Sequence, residues 1–363
     1  MTCAGFARAS AALVALTAIA ISAPASAEVN FAGKRIELVV PYGNGGGTGV
    51  TARFLAPLLE KKLPGHPTII IKNIDGAGAI AGSNYFQEHA KPNGLTVMAL
   101  AASVTANYVF RDSRVKYKVD EWIPIITIPA GTIIYANSKL GLKGPADIAK
   151  LRDQELSMGA GTPTGGEMRT LLALDLLGFK VKSVFGVGRA DARPAFERGE
   201  FNINFDSNQA YPVNVVPLIE SGVAVPLFSL GITNNKGVIE RDPVVPDLPS
   251  LPEAYKTLTG KDPDGDAYKA WLAVFNLNVM ASKALALPAG TPDDIVETYN
   301  KAMEEVVAEL RKPEMKAQAD EVLGPYPPAL GKDAVRVLRS AVAFDDSTLN
   351  WLKAWLKKSY GVE

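Results

Sequence analysis

A strand, a glycine-rich turn and a helix follow one another repeatedly in this chain, and this pattern constrains the fold more than any other feature. Residues 36–40 (IELVV) are apolar, the next nine residues read PYGNGGGTG, and apolar residues at helical spacing begin at Val50. A second copy combines residues 68–72 with the glycine-rich turn 75–82 and a helix, and residues 95–100 form the next predicted strand. This order of strands and helices predicts a parallel sheet with helices on its faces.

A second α/β unit is predicted from about residue 133 onwards. Its predicted elements, in chain order, are the strand 155–159, the turn GAGTPTGGE (159–167), the helix 168–177, the strand 181–185, the helix 191–198 and the strand 201–205. A chain of 363 residues is long enough for two such units, each with its own core.

The pattern is less regular after residue 230. Residues 232–268 are rich in Pro, Asp, Asn and Gly, which predicts a loop. The apolar run 271–279 predicts a strand. A helix is predicted from residue 291 to about residue 310, and a final amphipathic helix over roughly 332–357.

The first 27 residues are predicted to be a secretory signal peptide. Arg8 provides a positive charge, residues 11–21 are an apolar run, and Ala25-Ser26-Ala27 is a typical cleavage site. We therefore expect an exported, periplasmic protein that begins at Glu28 after cleavage.

Composition excludes several classes of function. The one cysteine, Cys3, lies in the predicted signal peptide, so no disulfide or thiolate chemistry is expected. Two histidines, His66 and His89, make a zinc cluster or a histidine-based triad improbable, and no metal or cofactor is predicted. Without Arg8, the 38 basic residues become 37 against 38 acidic ones, which argues against nucleic acid and against an anionic membrane surface as partners.

The glycine-rich turns are candidate anion sites. A turn without side chains that leads into a helix exposes backbone N–H groups at the positive end of the helix dipole. The dinucleotide pattern G-x-G-x-x-G fails, because counting from Gly43 or Gly45 puts Thr48 or Val50 at the last glycine, and the P-loop Gly-Lys-Ser/Thr is missing. The remaining interpretations are capture of a smaller anion, such as a carboxylate, and tight turns without a binding role.

Side chains that follow strands or begin helices in the second unit are further candidates. Asp206 ends a strand, where it could contact a ligand, cap a helix or hold a loop, and Arg189 and Arg193 flank the start of a helix. An arginine at the far end of a cleft would favour a second carboxylate on the ligand, whereas an aromatic residue such as Tyr108 or Tyr211 would favour a ring.

Six segments together resemble the Bug-type receptors, the extracytoplasmic solute-binding components of tripartite tricarboxylate transporters. In chain order they are IELVVPYGNGGGTGVTARFLAPLLEKKLPG, NIDGAGAIAGSNYF, PNGLTVMALAAS, GAGTPTGGE, RPAFERGEFNINFDS and LALPAGTPDDIVETYNKAMEEVV. The sequence departs from the family at Gly49, where many members have Asp, and at Gly165, where a histidine is common.

The resemblance implies an α/β fold of two lobes that close on a ligand like a Venus flytrap. Lobe I would comprise 28–130 and 231–363, and lobe II would comprise 131–230. The family binds small carboxylates and passes them to integral membrane subunits, so we expect a monomeric binding protein for a di- or tricarboxylate or an aromatic acid. The ligand-binding positions that the family pattern and the reasoning above assign are Tyr42, Gly43, Asn44, Gly45, Gly46, Gly47, Thr48, Gly76, Ala77, Gly78, Ser103, Gly161, Thr162, Thr164, Arg189 and Asp206.

Two other functions remain open from the sequence. An exported hydrolase acting on an anionic substrate would need a nucleophile and a base, and the sequence has no G-x-S-x-G motif. A sensory subunit that docks on a membrane kinase would share the fold and the ligand.

Overall fold

The computed structural model describes residues 1–2, 29–43, 47–234 and 237–362. The predicted signal peptide and three of the predicted ligand-binding residues, Asn44, Gly45 and Gly46, lie outside the described residues. The strands are β1 Arg35–Val40, β2 Thr68–Asn73, β3 Thr96–Ala101, β4 Ile123–Ile128, β5 Thr132–Asn137, β6 Leu156–Ala160, β7 Val181–Phe185, β8 Ile203–Ser207, β9 Ala224–Ser229, β10 Ile232–Thr233, β11 Ile239–Glu240, β12 Lys283–Leu287 and β13 Ala329–Leu330.

Thirteen α-helices are found in the described ranges. They are α1 Gly47–Lys62, α2 Ile80–His89, α3 Ala102–Val109, α4 Met168–Leu176, α5 Arg189–Arg198, α6 Tyr211–Asn214, α7 Val216–Glu220, α8 Leu251–Thr259, α9 Gly265–Phe275, α10 Asp293–Leu310, α11 Pro313–Leu323, α12 Gly331–Val342 and α13 Asp346–Tyr360. Short 3₁₀ helices cover Ala77–Ala79, Val119–Glu121, Ser138–Leu140 and Pro145–Asp153, and a π-helix covers Asn276–Met280.

The first lobe is built on a six-stranded sheet with the order β13-β4-β12-β3-β1-β2. Strand β1 runs parallel to both β2 and β3, which confirms the parallel arrangement predicted for the first three strands. The sheet as a whole is mixed, because β12 is antiparallel to β3 and β4, and β13 is antiparallel to β4. The prediction of a purely parallel sheet was therefore incomplete, since it did not include strands that return from the C-terminal part of the chain.

Buried side chains cover both faces of this sheet. Alternate residues of β1 belong to different clusters: Ile36, Leu38 and Val40 pack with α1 and α10, whereas Val39 packs with Phe86 of α2. This alternation follows from the two-residue period of a strand. A parallel strand buried on both faces has few polar positions, as the sequence of β1 shows.

The second lobe contains a three-stranded antiparallel sheet, β8-β5-β9, and a parallel pair, β6 and β7. Its largest buried cluster joins these strands and α4 to three helices from the C-terminal part of the chain, through residues such as Leu251 of α8, Trp271 of α9 and Leu352 of α13. The lobe boundaries given by the sequence remain a prediction.

Two predictions for the region after residue 230 were wrong because an apolar run does not reveal its period. The predicted strand 271–279 is the end of α9 and the π-helix, both deeply buried, and a buried helix and a buried strand share the same unbroken hydrophobicity. The predicted loop 232–268 contains the short β10–β11 hairpin and α8, which begins with a capping box between Ser250 and Glu253.

The predicted helix 332–357 was also wrong in its continuity. The structure has two helices, α12 and α13, and the second begins at Asp345, whose carboxylate accepts a hydrogen bond from the Thr348 N–H at 2.6 Å. An N-cap of this kind starts a new helix even where the amphipathic pattern continues.

Candidate functional site

A cleft of about 780 Å³ lies at the ends of the first-lobe strands and is closed on its other side by the second lobe. Tyr42 follows β1, and Ser103 follows β3 at the start of α3, so both reach the cleft from the carboxyl ends of parallel strands. Ligands of open α/β sheets bind at this edge. Lys283 begins the antiparallel strand β12 opposite Ala101, which places it at the same edge.

Four predicted residues of the first lobe line this cleft: Tyr42, Gly47, Thr48 and Ser103. The hydroxyls of Tyr42 and Ser103 are hydrogen-bonded to each other, and the Tyr42 carbonyl accepts a hydrogen bond from Asn73 Nδ2 at 2.8 Å. Burial raises the pKa of Tyr42 to about 12, so its phenol stays neutral and can donate a hydrogen bond. Gly47 and Thr48 form the start of α1, where free N–H groups face outward along the helix axis.

The second glycine-rich turn is present but does not line the cleft. Gly76 and Ala77 have φ angles of 137° and 51°, and Gly78 has a φ of 63°. The Gly76 N–H donates to the carboxylate of Asp75, and the Gly78 carbonyl accepts from Asn107. Gly76 and Gly78 therefore have local hydrogen-bond partners, and the predicted residues Gly43, Gly76, Ala77 and Gly78 all lie outside the cleft lining.

The glycine-rich turn of the second lobe carries its own acid. The Glu167 carboxylate lies 3.5 Å from the point that a Cβ on Gly161 would occupy and 3.0 Å from the corresponding point on Gly165. Gly166 lines the cleft, whereas Gly161, Thr162 and Thr164 do not.

Asp206 and two arginines form a buried charge cluster on the second-lobe wall. The Asp206 side chain is 1% exposed and receives hydrogen bonds from Arg193 Nε at 2.9 Å and from the Tyr135 hydroxyl at 2.8 Å. Arg189 Nη2 is 3.6 Å from the same carboxylate, and its guanidinium lies 4.2 Å from the centre of the Phe205 ring. Asp206 thus positions two cations, and its oxygens are occupied by these protein donors.

Two cations that the sequence analysis missed also line the cleft. Arg169 in α4 is 8% exposed and donates from Nη1 to the Asn278 carbonyl at 2.7 Å, and burial lowers its pKa to about 10. Burial, followed by repulsion from Arg169, lowers the pKa of Lys283 to about 8. A single basic residue in an apolar segment belongs to no motif whose spacing would indicate a binding site. The signal that the sequence offered for these two residues was a charge within an otherwise apolar segment.

The side chains that line the cleft carry an excess of positive charge. Its described walls contain four cations, Arg169, Arg189, Arg193 and Lys283, and two carboxylates, Asp206 and Glu321. The aromatic candidates Tyr108 and Tyr211 do not line it, and Phe205 does.

Two features of other protein classes are absent from the described residues. No group of three or more His, Cys, Asp or Glu side chains that could hold a metal ion occurs among them. None of the helices in this part of the chain combines the length and the hydropathy of a membrane span.

The fold and the interlobe cleft are those of the two-lobed periplasmic binding proteins. No family model matches the sequence. Protein BugT of Bordetella pertussis is 28% identical over 124 residues, which is 34% of this chain and 37% of that relative. The alignment therefore spans little more than a third of the curated protein.

Solved structures match over nearly the whole chain. MatC from Rhodopseudomonas palustris with bound malate has a TM-score of 0.59 and 21% identity, covering 88% of this chain and 98% of that one. A second R. palustris protein, with adipate, has a TM-score of 0.62 and 20% identity, covering 90% and 98%. The predicted two-lobed fold and the predicted resemblance to Bug-type receptors are thereby confirmed.

Proposed function

We propose that this protein captures a small organic carboxylate in the interlobe cleft and delivers it to the integral membrane subunits of a tripartite tricarboxylate-type transporter. The observation that carries the proposal is the charge of the cleft: four cations face two carboxylates. A ligand with two negative charges would neutralise the described walls.

Hydrogen-bonding groups on both lobes support the same ligand class. The first lobe offers the start of α1 with Gly47 and Thr48, together with the paired hydroxyls of Tyr42 and Ser103. The second lobe offers guanidinium groups, which match carboxylates in shape and charge. A charge-assisted hydrogen bond contributes about 1.5–3 kcal/mol, so three or four of them, less ordering costs, would give micromolar affinity, about −8 kcal/mol.

Binding without turnover is the second part of the proposal. The family pattern and the two solved structures with malate and with adipate support a periplasmic receptor for organic acids, and we propose that it is a monomer. Neither His66 nor His89 is among the residues that line the cleft, so neither is placed to serve as a general base there.

A thermal-shift screen tests the proposal. The purified protein is heated with malate, adipate, citrate or benzoate, and with dimethyl adipate as an uncharged control. An acid at a hundredfold excess over its Kd adds about 2.7 kcal/mol of stability, which is easily measured. We expect a rise with one class of acid, none with the ester, and recovery of the acid chemically unchanged. The proposal would be refuted if none of the acids raised the melting temperature, or if a bound acid were converted to product.

A further inference from the structure

Arg169 and Lys283 reach the same cleft from different lobes, and neither forms a salt bridge among the described residues, although Glu167 attracts the charge of Arg169. Arg169 belongs to α4 of the second lobe, and Lys283 begins β12 of the first-lobe sheet. Arg169 also lowers the pKa of Lys283, so the two charges are close enough to repel each other. Repulsion between two like charges is unfavourable in the unliganded protein.

The guanidinium of Arg169 has one edge for which the described residues provide no recorded acceptor. Its Nη1 donates to the Asn278 carbonyl, and its face lies 5.7 Å from the centre of the Phe205 ring. The buried Nε has no acceptor within the described part of the chain. Because the edge formed by Nε and Nη2 can donate two parallel hydrogen bonds, it matches one carboxylate or other oxyacid group.

The ammonium of Lys283 is held next to the start of a helix. Its Nζ lies 3.9 Å from the point that a Cβ on Gly47 would occupy, and Gly47 is the first residue of α1. Arg169 is the second residue of α4, so both cations lie near the positive ends of helix dipoles. On the second-lobe side, Glu167 at the N-cap of α4 offsets part of this positive potential.

A purely structural role does not account for this arrangement. The other two arginines of the cleft are held beside the buried carboxylate of Asp206, which is how proteins usually accommodate such charges. Arg169 and Lys283 form no such pair in the ranges that the structure describes, and Glu167 attracts the charge of Arg169 without forming one. A lysine kept for packing alone would be served by methionine, which fills a similar volume without a charge.

We propose that Arg169 and Lys283 together bind one ionised oxyacid group of the ligand, which bridges the two lobes. The proposal rests on the proposed function and names the residues that give it selectivity for charge. The bound anion gives both cations a salt bridge that the described residues do not supply. It therefore favours the closed arrangement, in which both cations contact it. A ligand with an amide or ester in place of this acid is rejected, since the buried Arg169 and the partly buried Lys283 would gain no salt bridge from it.

The test compares Lys283→Met and Lys283→Arg with Arg169→Met, and uses Lys301→Met as a control for net charge. Lys301 is exposed on α10 and does not line the cleft. Calorimetric titrations use malate, adipate and citrate, and thermal shifts use sulfate as a simple oxyanion. We expect each Met variant in the cleft to raise Kd about tenfold or more, as loss of a charge-assisted hydrogen bond does, while Lys283→Arg retains most of the affinity and Lys301→Met all of it.

A second readout does not depend on the choice of ligand. Because Lys283 forms no salt bridge in the described chain and is repelled by Arg169, Lys283→Met is expected to raise the melting temperature of the unliganded protein, and sulfate is expected to stabilise only proteins with a cation at position 283. This arm keeps the proposal testable if Arg169→Met fails to fold after losing its bond to Asn278.

The outcomes separate this inference from the proposed function. If the wild type binds an acid and Lys283→Met binds it within about twofold, the subsite is refuted and acid capture stands. If no organic acid binds but sulfate protects the wild type and not Lys283→Met, the subsite stands and carboxylate capture fails. A fall in melting temperature for unliganded Lys283→Met, with no effect of sulfate on any variant, overturns the subsite regardless of the acids.

Discussion

The hydrogen bond between Tyr326 and Asp242 provides a sharp test of how the two lobes are held at their junction. The Tyr326 hydroxyl lies 2.7 and 2.6 Å from the two oxygens of Asp242, whose side chain is fully buried. Gly131, in the crossover from β4 to β5, packs against both: a Cβ there would lie 1.9 Å from Asp242 Oδ2. Three distant segments of the chain therefore meet at one buried carboxylate.

Replacing Tyr326 by Phe removes one charge-assisted hydrogen bond. It creates only a small cavity, because the aromatic ring remains. The other recorded partner of the Asp242 carboxylate is the backbone N–H of Val244, which donates to it at 2.9 Å. We expect a loss of about 2–3 kcal/mol in the free energy of unfolding at neutral pH. With an unfolding entropy of roughly 2.1 cal/mol/K per residue, this corresponds to a fall of about 3–4 °C in the melting temperature.

The same substitution has a predictable pH dependence. Burial raises the pKa of Asp242 above its usual 3.8, and the Tyr326 hydrogen bond opposes that rise. The folded protein thus holds a proton that the unfolded chain releases, so the contribution of Asp242 to stability falls as pH rises from 3.8 through its folded pKa. Once Asp242 is protonated, the wild type also loses the charge-assisted bond that the variant lacks. The loss of unfolding free energy caused by Tyr326→Phe should therefore shrink as the pH falls.

Urea unfolding at neutral and at acidic pH measures both effects, with Tyr211→Phe as the matched control. Tyr211 is also buried, and the described structure records no hydrogen bond for its hydroxyl. At neutral pH, Tyr211→Phe should lower the free energy of unfolding by less than Tyr326→Phe does. Equal losses in the two variants, or a penalty for Tyr326→Phe that is independent of pH, would show that the buried carboxylate is not held as described.

Two further predictions concern the charges of the cleft. Asp206→Asn leaves Arg193 without its buried carboxylate, and breaking such a pair should cost about 3–5 kcal/mol, measured by urea unfolding; a loss below 1 kcal/mol would contradict it. Since the folded pKa of Lys283 is about 8 and its ordinary value is 10.5, the unfolded chain binds more protons between these values, so stability of the unliganded protein should rise with pH there. Thermal unfolding across that range should show the rise in the wild type and not in Lys283→Met.

The sequence predicted the elements of the fold best where two signals agreed. The strands β1, β2 and β3 combine apolar runs with glycine turns, and all were placed within one residue at their starts. In the C-terminal part, one signal stood alone. Proline and glycine content suggested a loop where α8 forms, and hydrophobicity suggested a strand where α9 continues as a π-helix. In both segments, burial against the rest of the fold determines the secondary structure. Local composition does not predict that burial.

The candidate site shows a different limit of sequence reasoning. Residues next to glycine turns, such as Tyr42 and Thr48, were found because turn chemistry is local and has a motif. Arg169 and Lys283 lie 114 positions apart, and they share a cleft because β12 returns to the first-lobe sheet opposite Ala101. That pairing is set by long-range packing, which no short motif encodes. Neither cation forms a salt bridge in the described chain, and the external anion proposed above would supply one to both.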